Sequence, residues 1–419
     1  MRASQIADWK ASAVGAPSAG TPDRARETDG AGRCWLLIAP SVLSALLMAA
    51  HLFRVEGPVA AAGVAILPFL LWRRRRWTLL VARGLALAGA LAWVSIAGDL
   101  ATARMAHGAP WLRLTAILGS AAAVNLLAGA LLFDRRMERR HAAGAETAAG
   151  AAGAFLGAFG LLLLVRRFAG AEALLLPRFV AGGFWLEAAA LAAYAAFIAE
   201  RLQDDRRVAR TRFVLWSVFS GAVFLQLALG LAGFERFLMS GALHLPVPAI
   251  IAAGPIYRGG GYFMFALFLA TVAVAGPAWC SHFCYIGAWD NAFARRRPKA
   301  EVAPARRRRF DTRWLALAAT AGAAFALRAA GASGTVAALL AGAFGLAGVA
   351  VMARRSRRTG RMAHCTEYCP IGALAVTLGR VSPFRLRINQ SCPGCNLCLP
   401  VCRYGALTPS DLARGRPGS

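Results

Sequence analysis

Charged residues are scarce in this sequence: they occupy 16% of 419 positions, whereas 58% of the residues are hydrophobic. A soluble domain carries about 25% charged residues, so this composition argues against a soluble protein. Lysine is nearly missing, since Lys10 and Lys299 are the only two, and arginine therefore supplies almost all of the formal charge of +28. Because the arginines form short clusters between apolar runs, they are typical of cytoplasmic loops and do not indicate a nucleic-acid partner.

Histidines and acidic residues are also few, with six and 20 in the chain. A haem b site needs one or two histidines within the membrane, and His51 and His244 are the only pair that merits inspection, so haem is not favoured. Polar residues inside a membrane are costly, and Glu187 is the strongest such candidate. Its carboxylate either accepts a proton from a quinol or pairs structurally with a nearby arginine, and the structural role is favoured.

Apolar stretches fill most of the remaining sequence. Ten of them have about the 17 to 25 residues needed to cross a hydrocarbon core about 30 Å thick. They are predicted at residues 35–53, 57–72, 77–98, 110–133, 147–165, 179–199, 213–233, 261–280, 313–330 and 335–353. Arginine clusters follow every even-numbered span, so the positive-inside rule places both termini on the cytoplasmic side of the inner membrane. The proline-rich loop at 234–261 is predicted to be either a re-entrant segment bordering a ligand site or an ordinary external loop.

Eight of the nine cysteines lie after residue 279, in three groups. The last group, Cys392, Cys395, Cys398 and Cys402, has the spacing C-x2-C-x2-C-x3-C, which binds a 4Fe-4S cluster in bacterial ferredoxins. The earlier groups are C-x3-C pairs, Cys280 with Cys284 and Cys365 with Cys369. Reduced thiols facing the cytoplasm favour metal ligation over disulfides.

The cysteines allow more than one assignment. In two-cluster ferredoxins the fourth cysteine of each motif binds the cluster of the other motif. Applied here, the first cluster takes Cys392, Cys395, Cys398 and Cys369, and a second, nearer the bilayer, takes Cys402, Cys365, Cys280 and Cys284. The alternative keeps the last four cysteines on one cluster and leaves both C-x3-C pairs as redox-active or metal-handling thiols. A zinc site is a weaker alternative.

These observations predict an all-α polytopic membrane protein of about ten transmembrane helices with a small C-terminal ferredoxin-like iron-sulfur module on the cytoplasmic side. The predicted parts are a disordered leader at 1–32, an N-terminal transmembrane domain of about six helices at 33–212, a C-terminal transmembrane domain of about four helices at 213–360, the module at 361–407 and a tail at 408–419. His282 and His364, beside the cysteine pairs, either tune the cluster potentials or are solvated neighbours.

A helix-end C-x3-C, a helical hairpin, a C-x3-C-P and a ferredoxin motif stand in that order over residues 210–407. This order resembles the membrane ferredoxin-like proteins of the NapH, NosR and RdxA/CcoG type. The resemblance implies electron transfer at the cytoplasmic membrane for respiratory reductases, or metal-centre maturation. Tyr285 and Arg403 stand where that family has proline, and one full ferredoxin motif stands where two are usual.

The function predicted is membrane-anchored electron transfer through 4Fe-4S clusters, between a cytoplasmic redox partner and quinone or a respiratory partner subunit. The basic module, with seven arginines against two acids from residue 361 onward, favours an acidic electron carrier or anionic lipid of the bilayer as its contact. Two alternatives are a maturation factor that reduces or handles a metal such as copper, and a transporter or sensor regulated by the cluster.

Overall fold

The computed structural model describes residues 24–204, 206–237, 245–276, 279–298, 311–382, 388, 392–399 and 401–413. The chain divides into two compact units, Met1–Glu200 and Arg201–Ser419. Every regular element in the described residues is helical, as the composition predicts. The predicted leader lies mostly outside these residues, and the first described helix begins at Arg24.

The first unit is built from long helices joined by short turns. Gly57 lies between the first helix and the second. Its φ of 97° is in the left-handed region, which glycine adopts at little cost. The helices are α1 (Arg24–Glu56), α2 (Pro58–Ala65), a 3-10 helix (Leu67–Arg73), α3 (Arg76–Ala106), α4 (Leu112–Leu131), α5 (Arg135–Arg140), α6 (Ala145–Ala169) and α7 (Gly183–Leu202).

Alanine allows the helices of this unit to pack closely. Ala148, Ala151 and Ala152 of α6 are buried in one cluster with Trp77 and Phe155. The glycines at 153, 157 and 160, by contrast, face open space, so they do not form the close helix contact that their spacing predicts. Ser44 and Asn125 add a buried hydrogen bond of 2.5 Å, which satisfies two polar groups inside an apolar body.

The second unit contains shorter helices interrupted near the cysteines. Its main elements are α8 (Val208–Leu231), α9 (Ala249–Arg258), α10 (Phe263–Ala275), a π-helical turn (Trp279–Phe283), α11 (Tyr285–Arg295), α12 (Thr312–Ala329), α13 (Gly334–Val351), a second π-helical turn (Met352–Ser356) with a short helical turn after it (Arg357–Thr359), a third π-helical turn (His364–Tyr368), α14 (Pro370–Gly379) and α15 (Pro409–Ala413). Predicted loop 234–261 is partly described and forms α9, a helix of ten residues that contains Pro255.

Seven described helices are long and apolar enough to cross a membrane. Three of the ten predicted spans are not among them, so the predicted count is not confirmed. Residues 57–72 form a short helix and a 3-10 helix, and residues 261–280 contain a helix of only 13 residues. Residues 313–330 do form a helix of 18 residues, but Arg313 and Arg328 at its ends reduce its hydropathy.

Candidate metal centre

The two C-x3-C pairs have the same local structure. In each, the first cysteine lies in a π-helical turn, Trp279–Phe283 or His364–Tyr368. A hydrogen bond of π-helical register closes each turn: the amide of Cys284 donates to the carbonyl of Trp279 at 3.1 Å, and that of Cys369 to His364 at 2.8 Å. The second cysteine is then extended and starts a helix, with φ and ψ of −81° and 109° at Cys284 and −71° and 117° at Cys369.

A glycine lies three residues after the second cysteine of each pair. The π-helical turn, the second cysteine and this glycine form one structural unit, and the chain contains two copies of it. A Cβ at Gly287 would lie 2.9 Å from the carbonyl oxygen of Cys280, and a Cβ at Gly372 would lie 2.9 Å from that of Cys365. Real Cβ atoms essentially never come within 3.0 Å of another heavy atom, so both positions exclude larger residues without movement of the backbone. The helix after each pair therefore packs directly against the turn before it.

These two copies bring four thiols near one another: Cys369 is buried, and Cys280, Cys284 and Cys365 are partly buried. Burial raises the pKa of Cys280 well above its usual value, and the thiolates of Cys284 and Cys369 raise it further. Burial likewise raises the pKa of Cys365, with added effects from Asp290 and from the other three cysteines. The pKa of Cys369 rises to about 12, first through burial and then through Cys284. Four thiols that perturb one another in this way are close neighbours, and as thiolates they need positive charge nearby.

The protein supplies part of that positive character. Burial raises the pKa of Cys284 as well, and the amides of Ile286 and Gly287 partly offset this rise by bonding to its sulfur. The amides of Ile371 and Gly372 oppose the rise in the pKa of Cys369 in the same way. Both thiols thus lie at the N-terminal ends of α11 and α14, where helix dipoles favour negative charge. Arg313 lies near enough to lower the pKa of both Cys280 and Cys369.

This donor set fits a 4Fe-4S cluster, which takes four cysteine thiolates and whose potential depends on hydrogen bonds to sulfur. No three histidine, cysteine or acidic side chains in the described residues converge as a single metal ion requires. A cubane spreads its four ligands over four iron atoms, so the convergence needed for one ion is not expected of its ligands.

The assignment of each cysteine to a cluster stays a prediction. Cys369 interacts electrostatically with Cys280, Cys284 and Cys365, whereas the analogy with two-cluster ferredoxins places Cys402 with those three. The amide of Cys402 instead donates to the carbonyl of Cys398 at 3.2 Å, within the last cysteine group.

A buried carboxylate joins the two copies. Asp290 of α11 is fully buried and accepts hydrogen bonds from the amide of Cys365 at 2.9 Å and from the Ser356 hydroxyl at 2.5 Å. The Ser356 oxygen in turn accepts from the amide of Ala363 at 3.0 Å. Burial raises the pKa of Asp290 to about 6, although the bonds from Ser356 and Cys365 lower it. Asp290 therefore holds the second turn in register with the first.

The last cysteine group lies on the surface. Cys392, Cys395 and Cys398 are exposed and Cys402 is partly buried. Asn396 and Gly394 both have positive φ, at 60° and 67°, which gives a loop that turns sharply between successive cysteines. Such turns let backbone amides approach bound sulfur.

Arg403 and Tyr404 attach this loop to the buried site. Arg403 is 8% exposed, and its guanidinium donates to the carbonyls of Gly360, Arg297 and Ala294 at 2.9, 3.1 and 3.3 Å. The hydroxyl of Tyr404 donates to the carbonyl of Cys280 at 3.0 Å. Arg403 thus serves as an anchor, and its guanidinium is not one of the exposed charges of this module.

The structure also places the predicted histidines. His364 is 5% exposed, and burial lowers its pKa to about 4. It lies beside Cys369 in the lining of a cavity of about 20 Å³, room for about one water molecule. Pro246 and Val247, from the predicted re-entrant loop, line the same cavity. Nδ1 of His282 lies 2.8 Å from the Ser281 hydroxyl.

The remaining candidates have structural surroundings. The Glu187 carboxylate accepts from the amides of Leu176 and Leu175 at 2.7 and 3.3 Å, which is a structural role, though with backbone amides in place of the expected arginine. His51 packs edge-on against Trp93, with ring centroids 5.5 Å apart. His244 lies outside the described residues.

Sequence reasoning missed the repeat that builds this site. The run Cys284–Ala288 reads CYIGA and the run Cys369–Ala373 reads CPIGA, so a comparison of the pairs with each other reveals two copies of one unit. Asp290, Arg313 and Tyr404 carried no such signal, because their roles depend on contacts between distant segments.

The fold and the site together define a helical, membrane-type protein with an iron-sulfur domain. Residues 257–303 and 336–389 match the family described as 4Fe-4S binding domain. This match includes both C-x3-C pairs and ends before Cys392, so it coincides with the buried site. No curated protein and no solved structure matches the chain.

Proposed function

We propose that this protein carries electrons at a membrane through two 4Fe-4S clusters, each held by one group of four cysteines. The buried cluster takes Cys280, Cys284, Cys365 and Cys369, and the surface cluster takes Cys392, Cys395, Cys398 and Cys402. The observation that carries the proposal is the meeting of two structurally equivalent C-x3-C turns, joined by Asp290, within the residues that match the 4Fe-4S binding domain. Each bound cluster supplies one-electron oxidation and reduction.

The residues between the two cysteine groups define a connection for electrons. Cys402 and Tyr404 are separated by one residue, and Tyr404 reaches the backbone of Cys280 through its hydroxyl. Tyr404 also packs with Cys365 around the buried residues Trp216 and Met362. This side chain therefore spans the interval between the surface loop and the buried thiols, while Arg403 fixes its backbone.

The exposed loop is the entry point for a soluble partner. Leu397 and Val401, beside the surface cysteines, are 74% and 57% exposed, which gives an apolar contact area. With Arg403 buried, Arg361, Arg380, Arg385, Arg387, Arg414 and Arg416 still outnumber Glu367 and Asp411 in this part of the sequence. An acidic one-electron carrier in the cytoplasm fits this charge, since opposite charges steer encounter.

On the membrane side, we propose that the buried site exchanges electrons with a quinone or a respiratory partner subunit, as in proteins of the NapH and NosR type. The apolar helices supply the membrane anchor. Clusters on one face cannot reach across a core about 30 Å thick, so a mobile or protein-bound carrier completes the path.

Iron and acid-labile sulfide analysis, with EPR of the reduced protein, tests the proposal. The expected result is about eight irons and eight sulfides per chain, four for each cluster, with two interacting cluster signals. A content of about four irons, with a signal that survives loss of Cys280, would contradict the buried cluster. Faster reduction by an acidic carrier at low salt than at high salt is expected, and salt-independent reduction would remove the charge argument.

A further inference from the structure

A groove of about 90 Å³ opens on the surface of the first unit, and none of the cysteines discussed above lines it. Trp35, Phe69 and Trp72 form its walls and are 53%, 59% and 63% exposed. Phe69 stacks on Trp72, and Trp35 meets Trp72 edge-on, each with ring centroids 6.1 Å apart. Ile38 and Leu71 form the base and belong to a buried core cluster, so the base of the groove is rigid.

One cation lines this otherwise apolar groove. Arg140, the last residue of α5, contributes to the lining, and its buried Nε has no hydrogen-bond partner among the described residues. The next residue, His141, is fully buried, with its ring nitrogens 2.9 Å from the Met137 carbonyl and 3.0 Å from the Leu71 carbonyl. His141 therefore fixes Arg140 against the 3-10 helix that carries the aromatic walls.

Further arginines surround the groove. Arg73 and Arg74 directly follow Trp72 and are exposed, and Arg136 and Arg139 are exposed on α5. Arg74 has φ 48°, a left-handed conformation that is uncommon for residues other than glycine. This end of the unit thus combines an exposed aromatic surface with concentrated positive charge.

The groove also lies beside the starts of two candidate membrane spans. The candidate spans Trp35–Glu56 and Arg76–Ala106 both begin beside it. Tryptophan is enriched where a span enters the interface, and basic pockets between spans bind anionic head groups.

We propose that this groove binds one anionic phospholipid, with an acyl chain along Trp35, Phe69 and Trp72 and the phosphate on Arg140. The exposed apolar walls take the chain out of contact with water at the interface. The guanidinium of Arg140 donates to a phosphate oxygen, a charge-assisted bond that a neutral ligand does not provide. This site is independent of the iron-sulfur sites.

Lipid titration of the full-length protein in mild detergent, followed by native mass spectrometry, tests the site. Dioleoyl phosphatidylglycerol is the probe, and dioleoyl phosphatidylcholine, with the same chains and no net charge, is its control. Arg140→Gln is expected to weaken phosphatidylglycerol binding about fivefold, the effect of one arginine at an anionic surface. Arg113→Gln removes the same charge from an exposed position near the start of α4, outside the lining of the groove, and is expected to have little effect.

A second pair of variants tests the aromatic wall. Trp72→Ala is expected to weaken binding of phosphatidylglycerol, whereas Phe168→Ala, which removes an aromatic ring that is 84% exposed at the end of α6, is expected to leave it unchanged. Unfolding temperatures without added lipid show whether each variant is folded, and Arg140→Lys, which keeps the charge, gives a second test at that position. Equal binding of both lipids, equal losses in the two glutamine variants, or displacement by a neutral quinone analogue would overturn the proposal.

Discussion

Gly372→Ala is the substitution that most sharply tests how the buried site is built. The new Cβ would lie 2.9 Å from the carbonyl oxygen of Cys365, about 0.5 Å inside the 3.4 Å at which ordinary contact begins. The Cβ is fixed by the backbone of residue 372, and the oxygen is part of the backbone of Cys365. No flexible side chain can therefore move aside to relieve the contact. The turn or the start of α14 must shift, and with it the sulfur positions of Cys365 and Cys369.

The magnitude follows from two opposing effects. Overpacking of this kind costs about 1–3 kcal/mol. Alanine returns at most about 1 kcal/mol through its higher helix propensity. The net loss is therefore about 0–3 kcal/mol, and at the midpoint of about 1.5 kcal/mol the population of the correct turn falls roughly tenfold.

Iron content, EPR and thermal unfolding measure this effect. Gly372→Ala is expected to lower iron from about eight toward about four per chain, and to weaken the signal of the buried cluster selectively. Gly342→Ala is the matched control, since a Cβ at that position of α13 meets no atom within 4 Å. A Gly372→Ala protein with full iron content and an unchanged unfolding temperature would refute the packing argument.

Three further substitutions test other contacts. Asp290→Asn removes a negative charge beside the buried thiols and replaces one of the two carboxylate oxygens that accept hydrogen bonds. The reduction potential of the buried cluster is therefore expected to rise in an EPR-monitored titration. An unchanged potential would contradict this. Tyr404→Phe removes one hydrogen bond, worth about 0.5–1.5 kcal/mol, and is expected to slow electron transfer between the clusters in freeze-quench EPR while both still assemble. Wild-type rates would exclude Tyr404 as a connection. Glu187→Gln is expected to leave quinol-driven cluster reduction unchanged, since Glu187 binds backbone amides, and to lower the unfolding temperature; loss of reduction would restore a quinol role.

The sequence predicted those parts of the fold that depend on composition and period. Scarce charge and long apolar runs predicted a helical membrane-type body, and the cysteine spacings predicted iron-sulfur binding. The number of membrane spans was harder to predict. Residues 57–72, for example, are apolar enough to be counted as a span, but a change from α-helix to 3-10 helix after Ala65 divides them.

The partners of each cysteine could not be obtained from spacing alone. Spacing describes one segment, whereas the buried site joins two segments through Asp290 and Cys365, which are 75 residues apart. Arg403 is a second residue whose role the sequence does not predict. In the sequence it is counted as a surface charge, yet its guanidinium is buried against three backbone carbonyls.

The most direct test of the central claim is the iron content of a double variant, Cys280→Ser with Cys369→Ser. If both cysteines bind the buried cluster, each single variant and the double variant lose the same cluster, and about four irons remain in all three. If Cys369 instead binds the surface cluster, as in two-cluster ferredoxins, the double variant loses both clusters and retains almost no iron. The account predicts about four irons with an intact surface-cluster EPR signal, and a nearly iron-free double variant would contradict it.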